Sequence, residues 1–441
     1  MTKKIIILTI LTLALFVRVY RIDQLLGFYY DQGRDALVIW DLWHHHRFFL
    51  IGPTTGIEGI FRGPWYYWLI APAYLLGRGN PVWPSVFLSL TTVFAIGIIY
   101  KLGYKFGGFT TGITAAIISA FSFNLVLSSR WLSNPTPMLI ISMGLVWSMY
   151  QSSFKKTWAW PLIGFFAGMG MQFGSAAEIF YIPAIGVWLL YQRKKLPPFK
   201  TLLLSISLFG LAFLPQIIFD VRHQGVLLSA IKKFLVTDAS FKSTFWETIR
   251  LRLPFYQQVF FSKLWTNSHS LFRSSLTLSL IVLLLRWRKL WSHDLFRICF
   301  ILLTTSLIGL LFFQGNYGNV YDYYLTGYFL VFILFFSIIL TSISSKWIGK
   351  VIVIIFLVLF IRDNFPSLRN FLRAGTDGPI HITLEPSLSA VDWIFKDAAN
   401  RSFNVDVYVP PVIPYAYDYL VLWRGETKYH RQPDPNRQTL L

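Results

Sequence analysis

A chain of 441 residues in which 55% are hydrophobic and only 14% charged does not have the balance of a soluble globular protein, where about 25% charge is usual. A net charge of +20 would point a soluble chain toward nucleic acid. Here the basic residues stand in short clusters between long apolar runs, which is the membrane pattern, so no nucleic-acid partner is expected. One cysteine, Cys299, excludes an intrachain disulfide.

Lys3 and Lys4 precede an apolar run from Ile5 to Val17. Arg18-Val19-Tyr20-Arg21 follows in place of a small-residue cleavage site, so the run reads as an uncleaved first transmembrane helix over 4–20. Further apolar runs predict spans at 84–101, 108–127, 136–152, 158–174, 176–192, 201–219, 272–288, 296–313, 323–343 and 347–362. A crossing needs roughly 20 apolar residues, and the count comes to about eleven.

The loops test this assignment. With the N-terminus in the cytoplasm, Lys3, Lys4, Lys101, Lys105, Lys155, Lys156, Arg193 to Lys195, Lys200, Arg286, Arg288, Lys289, Lys346 and Lys350 fall inside. Asp31, Asp35, Asp41, Glu58, Asp220, Asp238, Glu247 and Asp322 fall outside. This is the positive-inside arrangement. It holds only if the short apolar run 64–76 (PWYYWLIAPAYLL) lies in the outer interface or re-enters, as runs of about 10–14 residues do. The expected fold is an all-α polytopic membrane protein with juxtamembrane helices on the outer side. A transmembrane domain, 1–363, carries large outer loops at 21–83 and 220–271. A C-terminal extracytoplasmic segment, 364–441, reads as a small α/β unit: a helix over 384–399 with Val391, Ile394 and Phe395 on one face, a strand from Phe403 to Val409, then a Tyr-rich stretch. There is no internal repeat.

The first outer loop concentrates the chemistry. Asp31-Gln32-Gly33-Arg34-Asp35-Ala36 places two carboxylates four residues apart, on one face of a helix, with an arginine between them. The loop then reaches Gly59-Ile60-Phe61-Arg62-Gly63-Pro64-Trp65-Tyr66-Tyr67-Trp68. A carboxylate and arginines just above the membrane suit a general base beside a phosphate clamp. The plainer reading is two acids that solvate an amphipathic helix.

The order Asp-x-x-Arg-x-Ala followed by Arg-x-Pro-aromatic-Tyr-Tyr-Trp resembles the GT-C-type glycosyltransferases, among them the protein O-mannosyltransferases and the bacterial lipid A aminoarabinose transferases. Asp31, Arg34, Arg62, Pro64 and Tyr66 to Trp68 carry the resemblance, which weakens beyond about residue 225. It implies a polyprenyl-phosphate sugar as donor and Asp31 as the base that deprotonates the acceptor. Arg62 would hold the donor phosphate, and Arg130 would be a second recurring basic position. It also implies a multi-pass protein of a bacterial inner membrane, with its site on the extracytoplasmic side. The chain departs from the pattern at Gln32, where the family often has Glu, and at Asn134, where it often has an acid; Asp35 could replace the missing carboxylate. The signatures of oligosaccharyltransferases are absent, which disfavours transfer of a large preassembled glycan.

Other residues join the candidate set on position. Arg34 and Arg222 are further candidates for the donor phosphate, with Arg250 and Arg252 near the same interface. Asp220 and His223 flank Arg222 at a helix end, Glu178 lies one turn into a span, and Tyr66 opens the aromatic run. Asn316-Tyr317 and Tyr321 to Tyr324 suit either a sugar or lipid groove or an interfacial aromatic belt. His44-His45-His46 lacks metal-ligand spacing. No cofactor is called for, and a divalent cation stays open. Partners expected are the lipid-linked sugar donor, membrane lipids, and an acceptor that is a glycan, lipid or protein. The rival function is a transporter or flippase of a lipid-linked sugar, which should show mid-membrane charges and matching halves. A purely structural membrane component would have no use for the outer Asp and Arg cluster.

Overall fold

The computed structural model describes residues 2–57, 59–234, 244–313, 318–376, 383–408 and 413–435. Each of the eleven expected segments is helical. They are α1 (Thr2–Val19), the two arms of a 40-residue stretch (Val82–Phe121), Met138–Ser152, Ala159–Phe173, Ala177–Tyr191, a bent pair Phe199–Leu211 and Leu214–Arg222, His269–Trp291, Asp294–Leu311, Asp322–Thr341 and Trp347–Arg373. Among the described residues, five helices are long and apolar enough to cross a membrane unaided, or six with the pair bent by 53°. The others are short or, like α1, carry three basic residues. They stand in the same bundle, and large apolar side chains such as Leu8, Leu190, Leu284, Leu285 and Val358 face outward. An apolar belt of this extent suits lipid and not water.

Glycine makes the sharpest bend. At Gly107-Gly108 the 40-residue stretch doubles back, and Gly108 has φ +69° and ψ −154°, a region open essentially only to glycine. The fold-back brings the Tyr100 carbonyl within 2.8 Å of where a Cβ on Gly112 would stand. Two antiparallel arms, 82–106 and 109–121, result. Arg18 stitches the end of the second arm to α1, donating to the carbonyls of Ala14 (2.9 Å), Ser119 (2.9 Å) and Ala120 (3.0 Å). A cation at a helix C-terminus satisfies carbonyls that no water reaches.

Two short helices lie at the end of the bundle where α1 finishes. In chain order they are α2 (Tyr30–His44) and α3 (Trp65–Leu76). The expected short element at 64–76 is therefore a helix of 12 residues. It is buried by Tyr66, Tyr67, Ile70 and Tyr74, and Pro72 lies within it.

The C-terminal region differs from the expected α/β unit. Trp347–Arg373 is one continuous helix, so the boundary drawn at 363 falls inside it. A helix forms at Leu384–Ala398 as expected and buries Val391 and Phe395. No strand forms over the described residues 403–408: the Phe403 carbonyl accepts from Asp434 N at 2.8 Å, but the pairing goes no further than an isolated bridge at Asn404. The Tyr-rich stretch is a helix, Tyr415–Arg424, laid against α2. Tyr419 donates its hydroxyl to the Gly79 carbonyl and packs its ring against Phe28, Trp40 and Tyr74. Trp423 Nε1 donates to the Arg78 carbonyl at 2.9 Å.

This contact fixes one position in α2. A Cβ on Gly33 would overlap the backbone of Tyr415 and Ala416. Gly33→Ala should therefore cost about 1–3 kcal/mol, the usual range for overpacking. Denaturant unfolding in detergent would read that loss, and limited proteolysis should release the 413–435 segment faster than in the parent chain. Unchanged cleavage would mean that the tail helix does not hold α2.

Candidate active site

A cavity of about 680 Å³ opens at this end of the bundle. One wall is polar, with Asp31, Arg34, Arg62, Asn134, Gln172, Ser175 and Tyr323. The other is apolar, with Phe213, Ile217, Val221, Leu227, Leu228 and Ile231. Phe213, Ile217 and Val221 of this lining lie at and beyond the bend between Phe199–Leu211 and Leu214–Arg222. A ligand with a charged head and a long apolar chain fits such a pair of walls.

Residues 52–57 and 59–64 pair as a hairpin that carries Arg62. Gly52 N donates to the Arg62 carbonyl (2.7 Å), and Arg62 N to the Pro53 carbonyl (3.1 Å). Three glutamine-mediated bonds moor it. Gly63 N donates to Gln172 Oε1 (2.8 Å), Gln172 Nε2 to Gln216 Oε1 (2.8 Å), and Gln216 Nε2 to the Phe61 carbonyl (2.8 Å). Gln172 is buried and both ends of its amide are used, so the hairpin is held by a fully paired relay.

Asp31 sits in the first turn of α2, where the helix N-terminus favours negative charge. Arg34 Nη1 pairs with Asp31 Oδ1 at 2.9 Å and Nη2 with Asp35 Oδ1 at 2.7 Å. Its Nη1 also reaches Thr54 Oγ1 at 3.2 Å. The two carboxylates differ in setting. The Asp31 side chain is 47% exposed at the cavity wall, whereas that of Asp35 is 6% exposed and also accepts from the Tyr67 hydroxyl at 2.9 Å. Burial pushes the Asp35 carboxyl up to about 6 despite the pull of Arg34 and Tyr67. Burial acts on Arg34 in the opposite sense, yet Asp35 and Asp31 outweigh it and hold the guanidinium protonated above its ordinary range.

Arg62 is the opposite case. Its Nε is buried without a partner, and its Nη2 finds only Ser175 Oγ at a long 3.4 Å. Burial lowers its pKa, while Glu178, Tyr323 and Tyr324 partly offset this; an arginine nonetheless stays charged. Glu178 is buried close by. Its Oε2 accepts from Ser175 N at 2.5 Å, and its Oε1 has no partner.

The remaining candidates separate into those near the cavity and those away from it. Asn134 lines it and donates to the Phe173 carbonyl (3.0 Å). Asp220 lines it and caps the helix Val226–Lys232 through Leu227 N (2.7 Å). Gln32 is buried behind it and donates to the Leu132 carbonyl (3.0 Å). Tyr66 lies buried behind it, beside Asp35. Arg130 does not line the cavity: it donates to the carbonyls of Val17 (3.1 Å) and Tyr20 (3.0 Å), closing the end of α1 as Arg18 closes the arm beside it. Arg222 is exposed beyond the lining, and His223 bonds back to the Phe219 carbonyl (2.8 Å). Arg252 donates to the Gly318 carbonyl (2.6 Å). Tyr323 and Tyr324 line the cavity and Tyr321 does not. His44 stacks on Trp40 at 3.8 Å, and no group of three His, Cys, Asp or Glu that could hold a metal occurs among the described residues. Glu58, Asp238, Asn316 and Tyr317 lie outside the described residues.

The sequence reading missed Gln172, at the end of one helix, Ser175, in the connection that follows it, and Gln216, on a separate helix, which have no spacing to announce them. It also missed Lys263. That side chain is buried, with its ammonium 4.1 Å from the Phe329 ring, and burial lowers its pKa to about 8.

Asp35 gives the site a measurable pH signature. Its carboxyl holds a proton more tightly folded (about 6) than the ordinary 3.8, so the folded state is favoured below about pH 4 and this contribution fades as pH rises to about 6. The loss should be on the order of 2–3 kcal/mol. In Asp35→Asn the slope of unfolding free energy between pH 4 and 6 should flatten; an unaltered slope would assign it to another group.

Residues 62–219 match the family model described as dolichyl-phosphate-mannose-protein mannosyltransferase. The match begins at Arg62 and leaves Asp31 outside it. Among solved structures, ArnT from Cupriavidus metallidurans bound to undecaprenyl phosphate is similar over 97% of this chain and 89% of its own, with TM-score 0.62 and 10% identity. Its apo state covers 98% and 90%, with TM-score 0.61 and 10% identity. An oligosaccharyltransferase from Archaeoglobus fulgidus is similar over 97% of this chain but 62% of its own, with TM-score 0.55 and 12% identity. No curated protein matches the chain at a significant level. The resemblance to the GT-C glycosyltransferases holds, and the chain is a multi-pass membrane protein with that fold.

Proposed function

We propose that this chain transfers a sugar from a polyprenyl-phosphate donor to an acceptor on the extracytoplasmic side of a bacterial inner membrane. The observation that carries the reading is a single cavity with Asp31 on a rigid helix, an arginine lacking an anion, and an apolar wall facing them. The family match and the likeness to ArnT support it. The basic clusters at the opposite end of the bundle support a cytoplasmic N-terminus.

Arg62 receives the donor's phosphate. Its buried Nε lacks a partner, and a phosphate would supply one with charge-assisted bonds. The polyprenyl chain lies along the wall of Ile217, Leu227, Leu228 and Ile231, and the sugar projects toward Asp31. Arg34 is already shared by two carboxylates, so its part is to position Asp31 and not to bind the donor. Asp31 takes the proton from the acceptor hydroxyl or amine as that atom attacks the anomeric carbon. The carbon–oxygen bond to phosphate breaks, its electron pair leaves on the polyprenyl phosphate, and Arg62 stabilises the charge that grows there. A single in-line displacement inverts the anomeric centre.

The test is the purified protein with a panel of polyprenyl-phosphate hexoses and pentoses and an envelope extract, with release of polyprenyl phosphate followed by mass spectrometry. Wild type should consume one donor. Asp31→Asn should lower kcat by roughly 10²–10⁴, the scale of lost general-base catalysis. Arg62→Ala should lower kcat by about 10²–10³ and raise KM for the donor. A wild-type protein that consumes no donor but moves labelled lipid-linked sugar between leaflets would replace transfer with transport.

A further inference from the structure

At the opposite end of the bundle, about 27 Å away along α1 at 1.5 Å per residue, lies a second hollow of about 710 Å³. It is bounded by the start of α1, the end of arm 82–106 beside the Gly107-Gly108 turn, and the end of Met138–Ser152. Lys3, Lys4, Lys101 and Lys105 stand around it, and Tyr100, Tyr104, Trp147 and Tyr150 supply aromatic surface. No carboxylate lines it. The acid that acts on Tyr150, Asp294, is already paired with Arg297 at 2.9 Å.

Two plainer accounts of the lysines are weaker. Lysines near helix C-termini can cap carbonyls. Lys4, Lys101 and Lys105 make no hydrogen bond or ion pair among the described residues, and Lys3 has only the Phe109 ring, 5.6 Å from its ammonium. Lysines also orient spans, but those at 155, 194, 195, 346 and 350 do so without lining this hollow. Four cations brought to one hollow by two separate helix ends repel one another. An anion between them removes that cost, and basic pockets between transmembrane helices take lipid phosphates in this way.

We propose that this hollow binds a phosphate-bearing anion, with the aromatic lining suited to one carried on the headgroup of an anionic membrane lipid. Tyrosine and tryptophan favour the headgroup level, where a lipid phosphate would lie. The site is separate from the Asp31 cavity and does not depend on the reaction proposed there.

The test uses the full chain in neutral detergent. Native mass spectrometry would count retained lipid, and thermal unfolding would be followed as phosphatidylglycerol, phosphatidylcholine or inorganic pyrophosphate is added. The variant is Lys101→Gln with Lys105→Gln; the control is Lys194→Gln with Lys195→Gln. Without added lipid, all three proteins should melt together. Phosphatidylglycerol should bind and stabilise wild type and control, and phosphatidylcholine should not. In the Lys101/Lys105 variant its apparent affinity should fall roughly thirty-fold, the effect of two surface charges. Stabilisation by pyrophosphate that depends on the same two lysines would support the site with a soluble phosphate as its ligand. Equal phosphatidylglycerol binding by variant and wild type, or equal loss in the control, would overturn the proposal.

Discussion

The arrangement at the cavity hangs on Arg34, which bridges Asp31 and Asp35 within one turn of helix. A carboxylate as buried as Asp35 is costly unless it is paired and hydrogen-bonded, and here it is both. The pairing fixes the guanidinium, and the guanidinium in turn fixes Asp31 at the cavity wall. Tyr67 ties the same network to α3, Thr54 ties it to the hairpin, and the tail helix closes over Gly33 from behind. Loss of any one of these would loosen the others.

Arginines at this end of the bundle do three different kinds of work, and surroundings alone decide which. Arg18 and Arg130 spend their donors on helix carbonyls, which have no water to turn to inside a bilayer. Arg34 spends its donors on carboxylates. Arg18 and Arg130 also leave a buried nitrogen unpaired, but of the three only Arg62 lines the cavity, where its Nη2 reaches Ser175 Oγ at a long 3.4 Å. A buried donor without a partner costs about 1–3 kcal/mol, and only at Arg62, which faces the cavity, would an anion entering that space recover it.

The bundle is also asymmetric from end to end. One end pairs its charges, holds short helices in its surface and opens a cavity with one polar and one apolar wall. The other gathers lysines around a second hollow with no described carboxylate in its lining.

How far this was legible in the sequence follows from which interactions are local. Apolar run length and the placement of lysines determined the helices, because both are set by the membrane and not by neighbours; all eleven segments are helical. The short run at 64–76 was identifiable for the same reason. The four-residue spacing of Asp31 and Asp35 announced a shared helix face, and Arg34 lay between them. Arg130 could not be assigned from its position, since its partners, the carbonyls of Val17 and Tyr20, lie more than a hundred residues away. The strand expected at 403–409 does not form over the described residues 403–408, because a ladder needs a long partner edge, which a linear pattern cannot supply and which here amounts to one isolated bridge. The Gln172–Gln216 relay that holds the Arg62 hairpin and the tail helix that packs on α2 are both long-range contacts, so only the tertiary structure decided them.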